Sequence, residues 1–242
     1  VSGFHNLLLI GPPGSGKSML ASRIPSILPG LSRDEVLEIS SIYSIAGLLN
    51  TEHPLVTKRP FRAPHHTITT QALSGGGRIP RPGEISLAHR GVLFLDELTE
   101  FSSAAMEVMR QPIETGHIMI NRCRRCVCFQ QDLCWWQRLI HADAAIIPDV
   151  RKCHCTPLQI RRYIGRISQP LMDRIDLNIE VLPARIESLQ EAASAEERSA
   201  QILKRVEQAR AMQDARYSGT VYRYNSQLHD RDVERYCALE AE

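Results

Sequence analysis

Little in the bulk composition of this chain commits it to a partner. Its 29 basic and 27 acidic residues nearly cancel, leaving a net charge of +2. No global basic field draws in nucleic acid, although that balance leaves room for a local basic surface. No apolar run approaches the ~20 residues that a membrane-spanning helix needs. The N-terminus lacks the charged-then-apolar shape of an export signal. The seven cysteines are an odd number, and Cys123, Cys126, Cys128 and Cys134 crowd one short stretch. In a long chain without an export signal they point to free thiols or metal ligands rather than a disulfide framework. These absences together predict a cytoplasmic chain with no membrane contact. Internal repeats and low-complexity tracts are also missing. With 43% hydrophobic residues over 242 positions, the chain can bury an ordinary core. Its length suits one large domain, or one domain and part of a second.

What is present is an alternation of apolar runs and helical patterns. "HNLLLI" (His5–Ile10) is a continuous apolar run that suits a buried parallel strand. It leads through a glycine-rich turn into a helical pattern. A charged helix follows at "SRDEVLEISSIYSIAG", with Ser32 as N-cap and Glu35 completing a capping box. Residues 50–90 are rich in Pro, Gly, Arg and His and read as loops with a hairpin. "GVLFLDE" (Gly91–Glu97) is a second buried strand, Ser102 starts a helix to about Ile113, and "GHIMINR" is strand-like. Further on, "TPLQIRRYIGRI" reads as a helix, "DLNIEV" as a strand, and "EERSAQILKRVEQARAMQDARY" as a long charged helix. This alternation predicts an α/β domain with a mostly parallel sheet. Pro183 is the expected domain break, with residues 184–242 forming a small helical part. The first strand starts within a few residues of one end, and a helical pattern is cut at the other. The chain therefore reads as a piece of something longer.

The sharpest chemical signal is Gly11-Pro12-Pro13-Gly14-Ser15-Gly16-Lys17-Ser18 between a strand and a helix. Glycines let backbone N–H groups turn inward and wrap phosphate oxygens, and a helix N-terminus adds its positive dipole end. Lys17 would neutralise the β- and γ-phosphates of ATP, and Ser18 would offer a hydroxyl to Mg²⁺. A glycine turn alone is common; one set between a strand and a helix is not. The second signal is Asp96-Glu97 closing the run Val92-Leu-Phe-Leu. Acids at the C-terminal end of a buried strand point into the crevice where α/β sheets bind ligands. Asp96 would hold Mg²⁺, and Glu97 would polarise the attacking water. Many strands end in acids that merely face solvent, so this pair gains force from the phosphate loop. Together they predict an ATPase rather than a passive binder.

"NLLLIGPPGSGKSMLA", "RPFRAPHHT", "GGGRIPRPGEISLAHRGVLFLDEL", "RQPIETG" and "PLMDRIDLNIEV" together resemble the magnesium-chelatase-like AAA+ ATPases, and within them the YifB/ComM group. The resemblance covers about residues 4–240. It implies a P-loop NTPase AAA+ core over residues 1–183, followed by a partial helical lid and the start of a C-terminal domain. It implies a homo-oligomeric, hexameric ring with a helix-2 insert at about Phe61–His89 facing the pore. "RPFR…HH" of that insert would meet DNA or a partner; the bland alternative is a loop stapled by prolines. Arg174 in "LMDRID" matches the arginine finger that reaches a neighbouring subunit. Otherwise it is a surface arginine paired with Asp173 or Asp176, a minor arrangement energetically. The group's competence-associated member is a helicase, so ATP hydrolysis coupled to DNA remodelling is the implied activity. Two alternatives stand beside it: a chelatase-type motor subunit acting on a partner protein, and a remnant that binds nucleotide without turnover. Cys153-His154-Cys155 matches half of the group's four-cysteine pattern, but a usual zinc site needs four ligands over two loops, and no metal beyond Mg²⁺ is expected.

Where the group carries a strand of the type Phe-Met-Leu-Val-Ala-Ala and then Asn-Pro-Cys-x-Cys-Gly, this chain has "QDLCWWQRLIHADAAIIPD" (Gln131–Asp149). It reads as neither a strand nor a polar sensor of phosphate. Codons for Gln131 to Arg138, CAA GAT TTA TGT TGG TGG CAG CGN, read from the third base as Arg-Phe-Met-Leu-Val-Ala-Ala. Tryptophan has a single codon, so Cys-Trp-Trp-Gln forces Leu-Val-Ala in that frame. From Leu139 onward, suitable codons hide Asn-Pro-Cys-Arg-Cys-Gly-Tyr-Tyr. The expectation is a pair of compensating frameshifts, one shortly after Arg122 and one near Pro148. The rival is a divergent insertion with its own role. Burying Gln137, Arg138, His141 and Asp143 unpaired would cost several kcal/mol each, so the stretch is expected to fold poorly.

Overall fold

The computed structural model describes residues 1–115, 117–122, 125–130, 134–139, 156–182, 197–228 and 230–237. In chain order its strands are β1 (Leu7–Ile10) and β2 (Phe61–Arg62), then the hairpin arms β3 (Gly75–Gly76) and β4 (Arg81–Pro82). β5 (Val92–Leu95), a second hairpin of β6 (His117–Arg122) and β7 (Arg125–Gln130), β8 (Cys134–Leu139) and β9 (Leu177–Glu180) follow. Five of these form one sheet in the order β2-β5-β8-β1-β9, and every neighbouring pair is parallel. Parallel neighbours require crossovers. Helices α1 (Lys17–Arg23), α2 (Arg33–Ala46), α3 (Thr70–Ser74), α4 (Glu84–Leu87), α5 (Ser103–Thr115), α6 (Pro157–Ile164) and α7 (Gln169–Met172) lie in the connections. The α/β architecture with a parallel sheet is as the sequence predicts.

Alternation along β5 shows that both faces of the sheet are covered. Leu93 and Leu95 join one buried cluster with Leu73, Ile85, Leu98, Met109 and Leu171. Val92 and Phe94 join the other, with Leu7, Leu9, Ala21 and Ile24. Successive strand residues face opposite sides, so a run with no polar position is what a doubly covered strand requires. α2 starts as expected. Ser32 Oγ accepts from the Glu35 N–H at 3.2 Å, and Glu35 Oε2 accepts from the Ser32 N–H at 2.9 Å. It ends at Gly47, whose φ of 73° is left-handed.

β8 is a central element that the sequence pattern did not announce. It pairs with β5 on one side and β1 on the other, with Leu95 opposite Gln137 and Ile10 opposite Leu139. The physical reason lies in its neighbours. β1 and β5 each present a row of backbone donors and acceptors toward the gap between them, and such rows must be satisfied. Tertiary context here overrides local pattern. The rest of the Gln131–Asp149 stretch, residues 131–133 and 140–149, lies outside the described residues, as does the expected break at Pro183.

Beyond residue 196 the helix Ser199–Arg216 appears as predicted and returns to the N-terminus. Gln213 is buried, donating to the Ser2 carbonyl at 3.1 Å and accepting from the Asn225 N–H at 3.0 Å. Tyr224 stacks on Phe4 with centroids 4.2 Å apart and lies 3.8 Å beneath the Arg210 guanidinium. Tyr224 thereby enters the same buried cluster as β1 and α1.

The arginines expected to face DNA from "RPFR" are committed to the fold. The Arg59 side chain is 7% exposed and donates to the carbonyls of Pro29 (2.6 Å), Arg90 (2.8 Å) and Gly30 (3.3 Å), and it pairs with Glu35 at 3.3 Å. Arg62 grips Glu84 with two 2.6 Å bonds. The planar guanidinium fork makes several directed bonds from one site, and here those bonds tie the insert to its base. Arg59→Ala strands several carbonyl acceptors and takes the guanidinium from the half-buried Glu35 carboxylate. It should lower the free energy of unfolding by about 3 kcal/mol, measured by urea denaturation, with Arg59→Lys recovering only part. A loss of under ~1 kcal/mol would show that Arg59 is not a fold anchor.

Candidate nucleotide site

The phosphate loop leaves the carboxyl end of β1. Gly11 is needed there because a Cβ would lie 2.2 Å from the Val181 carbonyl oxygen, where the chain leaves β9. Gly14 and Gly16 have φ of 77° and 83°, the left-handed region that costs a side chain strain. Gly16 is the N-cap of α1, and no side chain caps it. Lys17, the first residue of α1, is 1% exposed. Its Nζ donates to the Gly11 carbonyl at 2.7 Å, to Ser15 Oγ at 2.8 Å and to the Pro12 carbonyl. Ser15 Oγ in turn donates to the Pro12 carbonyl at 2.9 Å. A buried ammonium needs paired oxygens, and the loop supplies its own. Pro13 is exposed and Ser18 half-buried beside it.

Asp96 and Glu97 leave the carboxyl end of β5, on the same edge of the sheet. β8 lies between β5 and β1. At ~4.8 Å per strand the two loops emerge roughly 10 Å apart, which is phosphate-chain scale. Glu97 stands in the left-handed region at φ 56°, ψ 51° and begins the 3₁₀ turn Leu98–Glu100. That turn is gripped from outside. Thr99 Oγ1 hydrogen-bonds to Tyr163 of α6, and Glu100 Oε1 accepts from Arg166 Nη1 at 2.8 Å. Burial pushes the Tyr163 hydroxyl above its usual range, and the Thr99 bond works against that shift.

Glu97 has a partner that sequence reasoning missed. His66 Nδ1 stands 3.2 Å from Glu97 Oε2. The imidazole lies 4.0 Å from that of His65 and edge-on to Phe101 at 6.5 Å. The "HH" pair was visible in the chain, but no local spacing connects position 66 to position 97. Only the return of β2 beside β5 does.

The structure brings Lys17, Ser18, Asp96 and Glu97 to one edge. It does not bring Arg174 there. Arg174 is exposed in the turn that leads into β9, and its carbonyl accepts from Asn6 Nδ2 at 2.9 Å. Asn6 precedes β1 and Gly11 follows it, so the two ends are roughly 16 Å apart at ~3.3 Å per residue. Asp176, the alternative partner, accepts from the Asn6 N–H at 2.7 Å, while Asp173 accepts from Gln169 at 2.8 Å. β8 ends at Leu139, between the ends of β1 and β5, and residues 140–155 lie outside the described residues. Cys153-His154-Cys155 does too. Among the described residues no cluster of His, Cys, Asp and Glu could hold a metal by itself.

Residues 1–189 match the family model described as magnesium chelatase, subunit ChlI, and residues 196–242 match that of the ChlI C-terminal part. The chain is 42% identical over 240 residues to the uncharacterized protein YifB of Salmonella typhimurium. It is 41% identical over 243 residues to YifB of Escherichia coli, and 41% identical over 240 residues to the competence protein ComM of Haemophilus influenzae. These alignments take in 98%, 100% and 98% of this chain and 46% of each relative, so it spans about half the length of the curated proteins it matches.

Two glycines separate close approach from backbone strain. Gly11→Ala forces a backbone oxygen 2.2 Å away to move and should cost about 2–3 kcal/mol. At Gly14 nothing lies within 4 Å, so only the left-handed φ opposes a side chain, and Gly14→Ala should cost about 1 kcal/mol. Urea unfolding of both variants checks the ranking; equal losses would refute it.

Proposed function

The chain belongs to the magnesium chelatase ChlI family, and from that premise we propose that it is a P-loop AAA+ ATPase that couples ATP hydrolysis to remodelling of DNA within a hexameric ring. The observation that carries this reading is the shared edge. A buried lysine in a glycine loop and two acids emerge side by side from parallel strands that buried apolar residues hold in place. Lys17 exchanges its bonds to the loop carbonyls for bonds to the β- and γ-phosphates. The inward backbone amides of Gly11, Pro12-Pro13-Gly14, Ser15 and Gly16 wrap the same oxygens, prolines excepted. Ser18 and Asp96 offer hard oxygen donors, the set that suits Mg²⁺. With ATP in place, that ion supplies neutralisation of the phosphate charge. Glu97 accepts a proton as water attacks the γ-phosphorus and the bond to the β-bridging oxygen breaks, releasing ADP.

Arg174 acts in trans. Within its own chain a whole strand length separates it from the phosphate loop, so a useful contact with phosphate needs a neighbouring subunit. The relative that is named a competence protein favours DNA as the client. The description of the family model favours a second reading, a motor subunit that drives a partner protein; ATPase activity stimulated by DNA separates the two. Among the described residues no helix is long and apolar enough to cross a membrane, and we place the protein in the cytoplasm.

The stretch from Gln131 bears on turnover. β8 ends at Leu139, opposite Ile10, and just beyond that point in the chain is where the reading expects a water-orienting asparagine. The shifted frame hides an asparagine across the codons of Leu139 and Ile140. This chain therefore keeps the binding half of the site and lacks a polar sensor. Restoring the frame should raise turnover about 10²–10³-fold with nucleotide affinity changed little. Lys17→Ala should weaken ATP binding about 10–100-fold in either form. Equal turnover of the two forms would show that the odd stretch replaces the sensor, and intact codons in the gene with no single-base gain and loss would exclude a frameshift. In the restored form, mixing Arg174→Ala with Glu97→Gln subunits should recover activity that neither has alone. A mixture as inactive as both parents, with assembly intact, would remove the finger.

A further inference from the structure

We infer that Asn6 is a positioning residue: its side-chain amide fixes the turn that carries Arg174 to the strand that carries this chain's own phosphate loop. The inference rests on the ATPase reading with Arg174 acting in trans, and adds what aims that arginine. The turn between α7 and β9 has little to hold it from within. Its own bonds are single-turn ones, from the Arg174 N–H to the Leu171 carbonyl at 3.2 Å and from the Ile175 N–H to that of Met172 at 3.1 Å. Asp173 and Arg174 are both exposed. A long side chain rooted in such a turn reaches a definite point only if the backbone beneath it is fixed.

Asn6, just before β1, supplies that fixing. Its backbone N–H donates to Asp176 Oδ2 at 2.7 Å, and its carbonyl accepts from the N–H groups of Asp176 and Leu177 at 3.2 and 3.1 Å. His5 Nδ1 stands 3.4 Å from the same Asp176 oxygen. The two bonds to the Asn6 carbonyl lead into the β1–β9 ladder, in which Leu7 lies opposite Leu177, and any residue at position 6 could make them. The side-chain bond is different. Asn6 Nδ2 donates to the Arg174 carbonyl at 2.9 Å, beyond the end of the ladder, and it fixes the peptide plane that follows the arginine. The acceptor is a carbonyl, so a donor is required there. Aspartate has the same shape and offers only acceptors, close to the carboxylate of Asp176. A net hydrogen bond in an exposed place adds little to folding, whereas a misplacement of ~1 Å at a reacting centre can cost about 10²-fold. Orientation is therefore what this amide contributes.

The test reads Arg174 without hydrolysis, by equilibrium binding of fluorescent ATP and ADP analogues to the full 242-residue chain. An arginine that reaches the γ-phosphate of a neighbouring site tightens ATP and leaves ADP alone, so the ratio of the two affinities reports it. Asn6→Asp should lower the preference for ATP over ADP roughly three- to tenfold, as Arg174→Ala does, with ADP affinity unchanged. Asn6→Ala, which keeps the backbone bonds and adds no charge, should shift the ratio in the same direction and serves if aspartate disturbs the fold. In an Arg174→Ala background neither Asn6 variant should change the ratio further, because residues that act as one unit are not additive. A merely structural role would weaken ADP binding as well, or add its effect to that of Arg174→Ala, and either result overturns the inference. If Arg174→Ala lowers the ratio and both Asn6 variants leave it unchanged, the positioning role alone falls. If Arg174→Ala leaves the ratio unchanged, the trans-acting arginine falls and the inference with it.

Discussion

The parallel pairing of β1, β8 and β5 is the constraint on which the candidate site depends. Each strand holds its neighbour by backbone hydrogen bonds at fixed register, and each is too short to be stable by itself. Because all three run the same way, their carboxyl ends share one edge, and the residues that follow them are delivered to one crevice. Lys17 and the Asp96-Glu97 pair are 79 positions apart in the chain at their nearest, Lys17 to Asp96, yet the sheet brings them to one edge. The two buried clusters on its faces hold that edge in place. The same constraint sends Arg174 to the opposite edge.

A second theme is how the chain spends its cations. A net charge near zero gives no long-range field, so the work of each arginine depends on where the fold puts it. Arg59 and Arg62 bind backbone carbonyls and carboxylates inside the molecule. Arg90 meets Glu38 at 3.0 Å beside His89 at 3.2 Å. Burial pushes the Glu38 carboxyl up, but the Arg90 bond and charge with those of His89 outweigh it and hold the carboxyl below its usual range. These contacts fix the base of the insert. They leave Arg78 and Arg81 at its tip as exposed charge. The insert thus has a rigid root and an exposed end, with His66 and its acid partner between them.

Much was legible from local pattern alone. A glycine loop between strand and helix is a short-range signal whose meaning lies in backbone geometry, so Gly11–Ser18 pointed to a phosphate loop, and its strand-to-helix setting is found in the fold. The apolar run ending in Asp96-Glu97 marked a doubly buried strand, since no polar residue interrupts it. Ser32 with Glu35 declared its helix through a capping box that forms. The family follows from these motifs and is borne out over nearly the whole chain.

What tertiary structure decided is of another kind. β8 carries no pattern of its own and becomes a strand because the ladders of β1 and β5 require a partner between them. The arginines of "RPFR" look like a nucleic-acid surface in the sequence, and only packing shows them turned inward. His66 meets Glu97 because β2 returns beside β5, a pairing that no local spacing encodes. In each case the deciding interaction joins residues distant in the chain. Periodicity, capping and loop chemistry act over a few residues, whereas these contacts exist only once the sheet has set the register.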